Sequence, residues 1–285
     1  MNVTISGIQD DEPAMRSASD ALALVDVSFA YEGRTSRDDP RLALTGLSLT
    51  VAGGEFVALI GANGTGKSTL LRLAAGLLRP AGGTVRIDGR PVDGPDERVG
   101  FVFQEPRLLP WRSTLDNVAF PLELAGWAED RRRARAGELL GLVGLAGVDD
   151  LRPHELSGGM RQRAAIARAL TTEPALLLLD EPFSALDALT RERFDLALES
   201  GWRRPGMSVL VVTHSIPEAV VLADRIVVLA GRPGTVVGEI AVPLSRPRSL
   251  ADLESPEALA AAAAVRALLM ADEDRAELDD AVIAR

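Results

Sequence analysis

The segment Gly61-Ala62-Asn63-Gly64-Thr65-Gly66-Lys67-Ser68 is the strongest indication of the fold of this chain. It follows an apolar stretch at residues 56–60, which is rich in strand-forming residues, and precedes residues 69–78, whose apolar positions have helical spacing. Glycines let the backbone curl until several N–H groups point inward, and the following helix directs its positive end at the same place. A strand, a glycine loop and a helix in this order predict a phosphate-binding site.

The polar side chains of this loop have separate predicted roles. Lys67 supplies a positive charge to the β- and γ-phosphates of a nucleotide, and the hydroxyl of Ser68 can ligate Mg²⁺. The alternative is a chance glycine-rich turn, which the flanking strand and helix disfavour. The predicted nucleotide-binding positions of this segment are Gly61, Asn63, Gly64, Thr65, Gly66, Lys67, Ser68 and Thr69.

Two acidic residues follow an apolar stretch further along the chain. Residues 175–179 predict a buried strand, and Asp180 and Glu181 come directly at its end. Ligands of open α/β sheets bind at the carboxyl ends of the strands. We therefore predict that Asp180 holds Mg²⁺ and that Glu181 polarises an attacking water molecule, although an acidic pair facing solvent is the alternative.

The pattern of the remaining chain predicts an α/β domain. Continuous apolar runs at residues 175–179, 208–212 and 225–229 suit strands of a parallel sheet covered on both faces, and they alternate with helical segments. Ser255-Pro256-Glu257 is a strong helix start. Further predicted elements are strands around residues 22–27, 47–51, 84–88 and 99–103, and a helical insertion at 112–145.

Composition narrows the possible functions. The 285 residues contain 31 basic and 41 acidic side chains and carry a net charge of −10, which is unfavourable for sequence-independent nucleic-acid binding. The absence of cysteine excludes disulfides, thiolate metal sites and a cysteine nucleophile. Neither a targeting signal nor a membrane-spanning run is apparent, so we expect a cytoplasmic protein that reaches a membrane only by docking onto another protein.

The segment Leu156-Ser157-Gly158-Gly159-Met160-Arg161-Gln162-Arg163, placed just before the acid-ended strand, resembles the signature of ABC ATPases. The resemblance implies a P-loop NTPase fold with a RecA-like mixed sheet core, an N-terminal antiparallel β part and an inserted α-helical subdomain. In that family Ser157, Gly158 and Gly159 would contact the γ-phosphate of ATP held by the other subunit. Hydrolysis would then need a homodimer or pseudo-dimer. The usual fifth signature residue is glutamine, whereas this chain has Met160.

Other positions match the same family one by one. Tyr31 resembles the aromatic residue that stacks on adenine, Gln104 the glutamine that senses Mg²⁺ and water, and His214 the histidine that contacts the γ-phosphate. Asp187 ends the segment Ser184-Ala185-Leu186-Asp187, which resembles the loop that links the two sites of the dimer. A core tyrosine, a surface glutamine and a structural histidine are the alternatives. The resemblance thus implies catalytic roles for Glu181, His214 and Gln104, and metal ligation by Ser68, Gln104 and Asp180.

The resemblance covers residues 21–240. It implies an ATPase domain over this range with a helical subdomain at about residues 105–165. Residues 1–20 are expected to be a flexible extension, and residues 241–285 a C-terminal helical extension with an acidic end.

Residues 103–112, Phe-Gln-Glu-Pro-Arg-Leu-Leu-Pro-Trp-Arg, resemble import ATPases of the nitrate, sulfonate and taurine type, as do Arg232-Pro233-Gly234 and Leu244-Ser245-Arg246-Pro247-Arg248. In that group the segment after the glutamine faces a membrane permease, so Leu108, Leu109 and Trp111 would be partly exposed anchors unless they pack inside the helical subdomain. The implied assembly has two permease copies, an extracytoplasmic solute-binding protein and no nucleic acid. Its ATPase would lie at the cytoplasmic face of the membrane.

Two other functions compete with an importer subunit. A soluble ABC protein of DNA repair or translation usually carries two ATPase units or long coiled coils, whereas this chain has one unit and no sustained heptads. A phosphate-loop kinase would not explain residues 156–159 or His214. The solute remains open among taurine, alkanesulfonates, nitrate and pyrimidine or thiamine precursors, because an ATPase of this kind does not touch it.

Overall fold

A computed structural model describes residues 20–31, 41–182 and 206–283 of the chain. The predicted N-terminal extension, apart from Asp20, lies outside these ranges. Asp187 and the loop around it also lie outside them.

Four strands form an antiparallel sheet in the order β2-β1-β4-β5. The alternation at the start of β1 explains its place, because Leu22 and Leu24 are buried while Val25, which follows them, is exposed. An irregularity in the pairing with β2 between Leu24 and Val27 then returns Val27 to the buried side. Of the four, β5 was not predicted, since two residues carry no periodicity. The strands are β1 (Asp20–Tyr31), β2 (Arg41–Ala52), β4 (Gly82–Ile87) and β5 (Arg90–Pro91).

A second sheet of six strands has the order β10-β9-β3-β8-β7-β6. Five of its strands are parallel, and β10 pairs antiparallel with β9 at one edge. We did not predict β10, because its residues are only partly buried and show no continuous apolar run. The strands are β3 (Phe56–Gly61), β6 (Val99–Val102), β7 (Leu176–Asp180), β8 (Ser208–Val212), β9 (Arg225–Ala230) and β10 (Thr235–Ala241).

Both faces of this second sheet are covered, which explains the continuous apolar runs. Along β3, Phe56, Ala58 and Ile60 face one hydrophobic core, whereas Val57 and Leu59 face the other. The first core includes the helices that follow β6, and the second lies between α1 and the antiparallel sheet. The predicted mixed-sheet α/β fold with an N-terminal antiparallel part is therefore confirmed.

Six α-helices are described: α1 (Lys67–Ala74), α2 (Thr114–Leu124), α3 (Glu129–Leu142), α4 (Gly158–Leu170), α5 (Ile216–Leu222) and α6 (Pro256–Ile283). Short 3₁₀ helices occupy Pro153–Glu155 and Leu250–Glu254. The helix predicted to reach residue 78 ends at Ala74. The reason is Gly76, whose φ is +69° and whose missing Cβ would lie 2.0 Å from the carbonyl oxygen of Gly94.

Helices α2, α3 and α4 form a helical segment between β6 and β7. Serine side chains cap two of them, because Ser113 Oγ accepts from Asp116 N–H and Ser157 Oγ accepts from Met160 N–H.

Helix α6 packs against β9, β10 and α5, and its side chains Ala261 and Val265 are buried in the first core. None of the helices in the described part of the chain combines the length and the apolar composition needed to cross a bilayer.

Candidate functional site

The carboxyl ends of β3, β7 and β8 meet at one edge of the six-stranded sheet. Val212 of β8 pairs with Leu59 on one side and with Asp180 on the other. Residues that follow these strands are therefore brought together, although they are far apart in the sequence. The phosphate loop continues from β3, Glu181 from β7 and His214 from β8.

The side chain of Lys67 lies inside the phosphate loop. Its Nζ donates hydrogen bonds of 2.8 Å to the carbonyl oxygens of Gly61 and Ala62. Burial lowers the pKa of Lys67 below its ordinary value, while the nearby carboxylates of Glu181 and Asp180 act in the opposite direction. The ammonium group is thus held inside the loop, where a bound phosphate group would compensate for the hydration that burial removes.

Two glycines of the motif are required by close contacts. At Gly61 a Cβ would lie 2.3 Å from the carbonyl oxygen of Leu229 on β9. Gly66 has a φ of +89°, and a Cβ there would lie 2.6 Å from Cδ2 of Leu44. The loop can therefore curl against β2 and β9 only with glycine at both positions.

The first turn of α1 is joined to the end of β7 by Ser68 and Asp180. Ser68 Oγ donates a hydrogen bond of 2.9 Å to Asp180 Oδ1, and Asp180 is only 2% exposed. Burial raises the pKa of the Asp180 carboxyl, whereas the Ser68 hydrogen bond and the charge of Arg72 lower it. A hydroxyl and a carboxylate oxygen in contact are ligands that Mg²⁺ prefers, so this pair fits the predicted metal.

Two of the predicted catalytic side chains, Gln104 and His214, lie next to the carboxylate of the third, Glu181. Gln104 Nε2 donates a hydrogen bond of 2.9 Å to Glu181 Oε2, and His214 Nδ1 lies 3.9 Å from the same oxygen. The φ of Glu181 is +45°, a backbone conformation that β-strands do not continue through. The turn there directs the side chain into the cleft instead of along the strand.

Tyr31 lies at another part of the same cleft. Its hydroxyl shares a hydrogen bond of 2.9 Å with Thr69 Oγ1, and its ring meets that of Phe29 edge to face. Because Tyr31 is 43% exposed, it is not the core tyrosine of the alternative hypothesis. An exposed ring next to the phosphate loop can stack on the base of a nucleotide.

A cleft of about 780 Å³ connects these groups. Two of the residues that line the cleft, Leu42 and Ala43, were not predicted from the sequence. They lie at the start of β2, and no local pattern indicates that this strand packs against the phosphate loop. All of the other described residues that line the cleft were predicted. They are Tyr31, Asn63, Gly64, Gly66, Lys67, Ser68, Thr69, Gln104, Glu181 and His214.

The serine of the signature segment lies elsewhere. Ser157 is exposed, and with Gly158 and Gly159 it begins α4. None of these three is among the described residues that line the cleft. Met160 is partly buried, and its side chain packs against the first core while its N–H donates to Ser157 Oγ.

The segment after Gln104 divides into a packed and an exposed part. Leu108 is partly buried and packs against the first core. Trp111 is 69% exposed, so the alternative in which it packs inside the helical segment is wrong.

Comparison with known proteins places the chain in a family. A family model described as ABC transporter matches residues 44–184. Over 219 residues the chain is 50% identical to the taurine import ATP-binding protein TauB of Sinorhizobium fredii, an alignment that covers 77% of this chain and 82% of that protein. TauB of Burkholderia thailandensis is 48% identical over 220 residues, which are 77% of this chain and 84% of the relative.

A solved structure supports the same conclusion. The dimeric structure of an ATP-binding cassette in a post-hydrolysis state, bound to ADP and Pi, matches with a TM-score of 0.71 and 34% identity over 79% of this chain and 100% of that one.

The chain belongs to the ABC transporter family. It is an ATP-binding, ATP-hydrolysing subunit of an ABC importer.

Proposed function

We propose that this chain binds Mg-ATP in the cleft, hydrolyses it as half of a dimer, and transmits the energy to a membrane permease that imports a small solute. The observation that carries the proposal is the convergence of Lys67, the Ser68–Asp180 pair and Glu181 at one edge of the central sheet. A positive charge, a hydroxyl–carboxylate pair and a second carboxylate are the parts that phosphoryl transfer to water needs.

The nucleotide is held by the phosphate loop and by Tyr31. Lys67 neutralises the β- and γ-phosphates, and the positive end of α1 faces the same groups. Tyr31 stacks on adenine, which orients the nucleotide along the cleft. The remaining contacts come from Gly61, Asn63, Gly64, Thr65, Gly66, Ser68 and Thr69.

Ser68, Gln104 and Asp180 would hold Mg²⁺. The ion, when bound, supplies positive charge that neutralises the phosphate oxygens. Ser68 and Asp180 are already in contact, so their oxygens need little rearrangement to act together. Because Asp180 is buried, water solvates its carboxylate poorly. A bound cation would supply the stabilisation of the charge that water does not.

Glu181 acts on the attacking water. Its carboxylate polarises the water and accepts a proton from it, while the water oxygen forms the new bond to the γ-phosphorus and the bond to the leaving ADP oxygen breaks. Gln104 donates to the Glu181 carboxylate and orients it. His214, whose Nδ1 lies 3.9 Å from the same carboxylate, would contact the γ-phosphate from the adjacent strand end.

The working unit is a dimer. Ser157, Gly158 and Gly159 lie on a different surface from the cleft of their own chain, so a second copy is needed to bring this helix start to the γ-phosphate. We propose that Asp187 links the two sites in the dimer. The comparison with a dimeric cassette bound to ADP and Pi supports this arrangement.

The dimer would sit at the cytoplasmic face of the membrane against two permease copies, and an extracytoplasmic protein would capture the solute. Relatives named as taurine import proteins favour taurine or a related sulfonate, with nitrate as a further candidate.

Within the chain, we propose an ATPase domain at residues 21–240 with a helical subdomain at about residues 105–165. Residues 1–20 and 241–285 would be extensions.

Purification of the tagged chain from cell membranes tests this function. We expect a multi-spanning membrane protein to co-purify, and we expect loss of the chain to abolish uptake of radiolabelled taurine. Restoration by the native chain but not by Glu181→Gln would link uptake to hydrolysis. Isolation with nucleic acid or ribosomes, and no membrane partner, would contradict the proposal.

A further inference from the structure

Residues 231–234, which connect β9 to β10, form a turn that touches the phosphate loop from outside the cleft. At Gly234 a Cβ would lie 1.9 Å from the carbonyl oxygen of Thr65, so the two backbones are in direct contact. Gly234 N–H also donates a hydrogen bond of 3.0 Å to the carbonyl oxygen of Ala43, which lines the cleft. The 231–234 turn therefore contacts both the loop and the start of β2.

Arg232 extends this contact to the tip of the loop. Its Nη2 donates a hydrogen bond of 2.7 Å to the carbonyl oxygen of Asn63. The same guanidinium lies over Gly64, where a Cβ would come within 3.2 Å of Nη2. A charged donor on a carbonyl makes a stronger hydrogen bond than a neutral one, so Arg232 fixes the tip from its outer side.

The turn is itself fixed by the C-terminal helix. Asp272 Oδ1 on α6 accepts a hydrogen bond of 2.9 Å from the N–H of Gly231. Helix α6 is anchored by Val265, which is fully buried, and by Leu268, which packs where Gly238 of β10 lacks a side chain. A continuous series of contacts thus runs from α6 through the 231–234 turn to Asn63.

We propose that Arg232 and Asp272 are positioning residues that set the affinity of the phosphate loop for nucleotide. This inference rests on the proposed function of the loop. A loop rich in glycine loses much conformational freedom when it closes around phosphates. Contacts that order the loop beforehand reduce this loss and strengthen binding without touching the ligand. The C-terminal helix thereby becomes part of the nucleotide site although it lies outside the cleft.

Two substitutions at Asp272 test the proposal on the full-length chain. Asp272→Ala removes the acceptor for Gly231 N–H, whereas Asp272→Asn keeps an oxygen at that position. We expect Asp272→Ala to raise KM for ATP by about five-fold, the net value of one hydrogen bond, and to leave kcat unchanged. Asp272→Asn should retain the native KM. Glu257→Ala, which removes the same charge from the exposed first turn of α6, is the matched control.

Hydrogen exchange gives a second measurement that needs no nucleotide. In the nucleotide-free chain, Asp272→Ala and Arg232→Gln should both speed exchange in the peptide covering residues 61–68, and Asp272→Asn and Glu257→Ala should not. Native exchange and native KM in both Asp272→Ala and Arg232→Gln would overturn the proposal. Faster exchange in a chain that binds no ATP would instead support the coupling and contradict the proposed function.

Discussion

Ser68 Oγ donates a hydrogen bond of 2.9 Å to Asp180 Oδ1, although 112 positions separate the two residues. The contact joins the first turn of α1 to the end of β7, and it buries a carboxylate beside a hydroxyl. The two oxygens come from different parts of the sheet, because α1 follows β3 whereas Asp180 is the last residue of β7. The candidate metal site therefore exists only once β3, β8 and β7 are aligned.

Substitution of Ser68 should change the metal dependence of the ATPase. Ser68→Ala removes one of the proposed ligands, so we expect the Mg²⁺ concentration for half-maximal activity to rise by about tenfold, as for the loss of one hydrogen bond to a charged group. A titration of ATPase rate with MgCl₂ measures this. Ser48→Ala, which removes a hydroxyl from the antiparallel sheet, is the control. An unchanged Mg²⁺ requirement in Ser68→Ala would contradict the assignment.

Glu181→Gln should separate binding from hydrolysis. The amide keeps the shape of the side chain but cannot act as a base, so we expect turnover to fall by at least about a hundred-fold. ATP binding should persist, and light scattering should then detect a dimer that ATP stabilises. Glu254→Gln, an exposed carboxylate outside the cleft, should behave as the native chain. A native rate in Glu181→Gln would show that Glu181 is not the base.

Lys67→Ala should weaken nucleotide binding. The substitution removes the charge next to the phosphates and also both hydrogen bonds to Gly61 and Ala62, so the loop loses an internal support. We expect affinity for ATP to fall by at least about tenfold, the usual effect of losing a hydrogen bond to a charged group. Fluorescence titration with a labelled ATP analogue measures it, and unchanged binding would undermine the phosphate-loop assignment.

Substitutions of Tyr31 should distinguish its ring from its hydroxyl. Tyr31→Phe loses only the hydrogen bond with Thr69, so we expect a small change in KM for ATP. Tyr31→Ala loses the stacking surface, and we expect KM to rise by about tenfold, within the range for base–aromatic stacking. Equal effects of the two substitutions would mean that Tyr31 acts through Thr69 and not through adenine.

Trp111→Ala should affect transport but not the chemistry of the isolated subunit. The side chain is 69% exposed and lies outside the cleft, so ATP binding should be native. We expect a reduced amount of permease co-purifying with the chain, because exposed tryptophans are often interface hot spots. Leu77→Ala, another exposed apolar residue, should leave the complex intact. Full recovery of permease with Trp111→Ala would exclude this contact.

Local patterns predicted most elements of the fold because strand and helix signals depend on near neighbours. The run at residues 208–212 coincides with β8, and the helix start predicted at Ser255-Pro256-Glu257 coincides with the beginning of α6 at Pro256. The patterns misjudged the end of α1, where contact of Gly76 with Gly94 stops the helix. They also missed β10, which depends on pairing with β9 and not on its own composition.

At the phosphate loop, residues 61–68 were enough to predict a glycine-rich turn between a strand and a helix, with Lys67 and Ser68 as its polar groups. Which distant groups meet at this loop follows from the arrangement of the strands and not from the local sequence. Alignment of three strand ends brings Asp180 to Ser68, and the turn after β9 brings Arg232 to Asn63. Periodicity and motif spacing act over a few residues, whereas these contacts depend on strand order and on packing across the whole sheet.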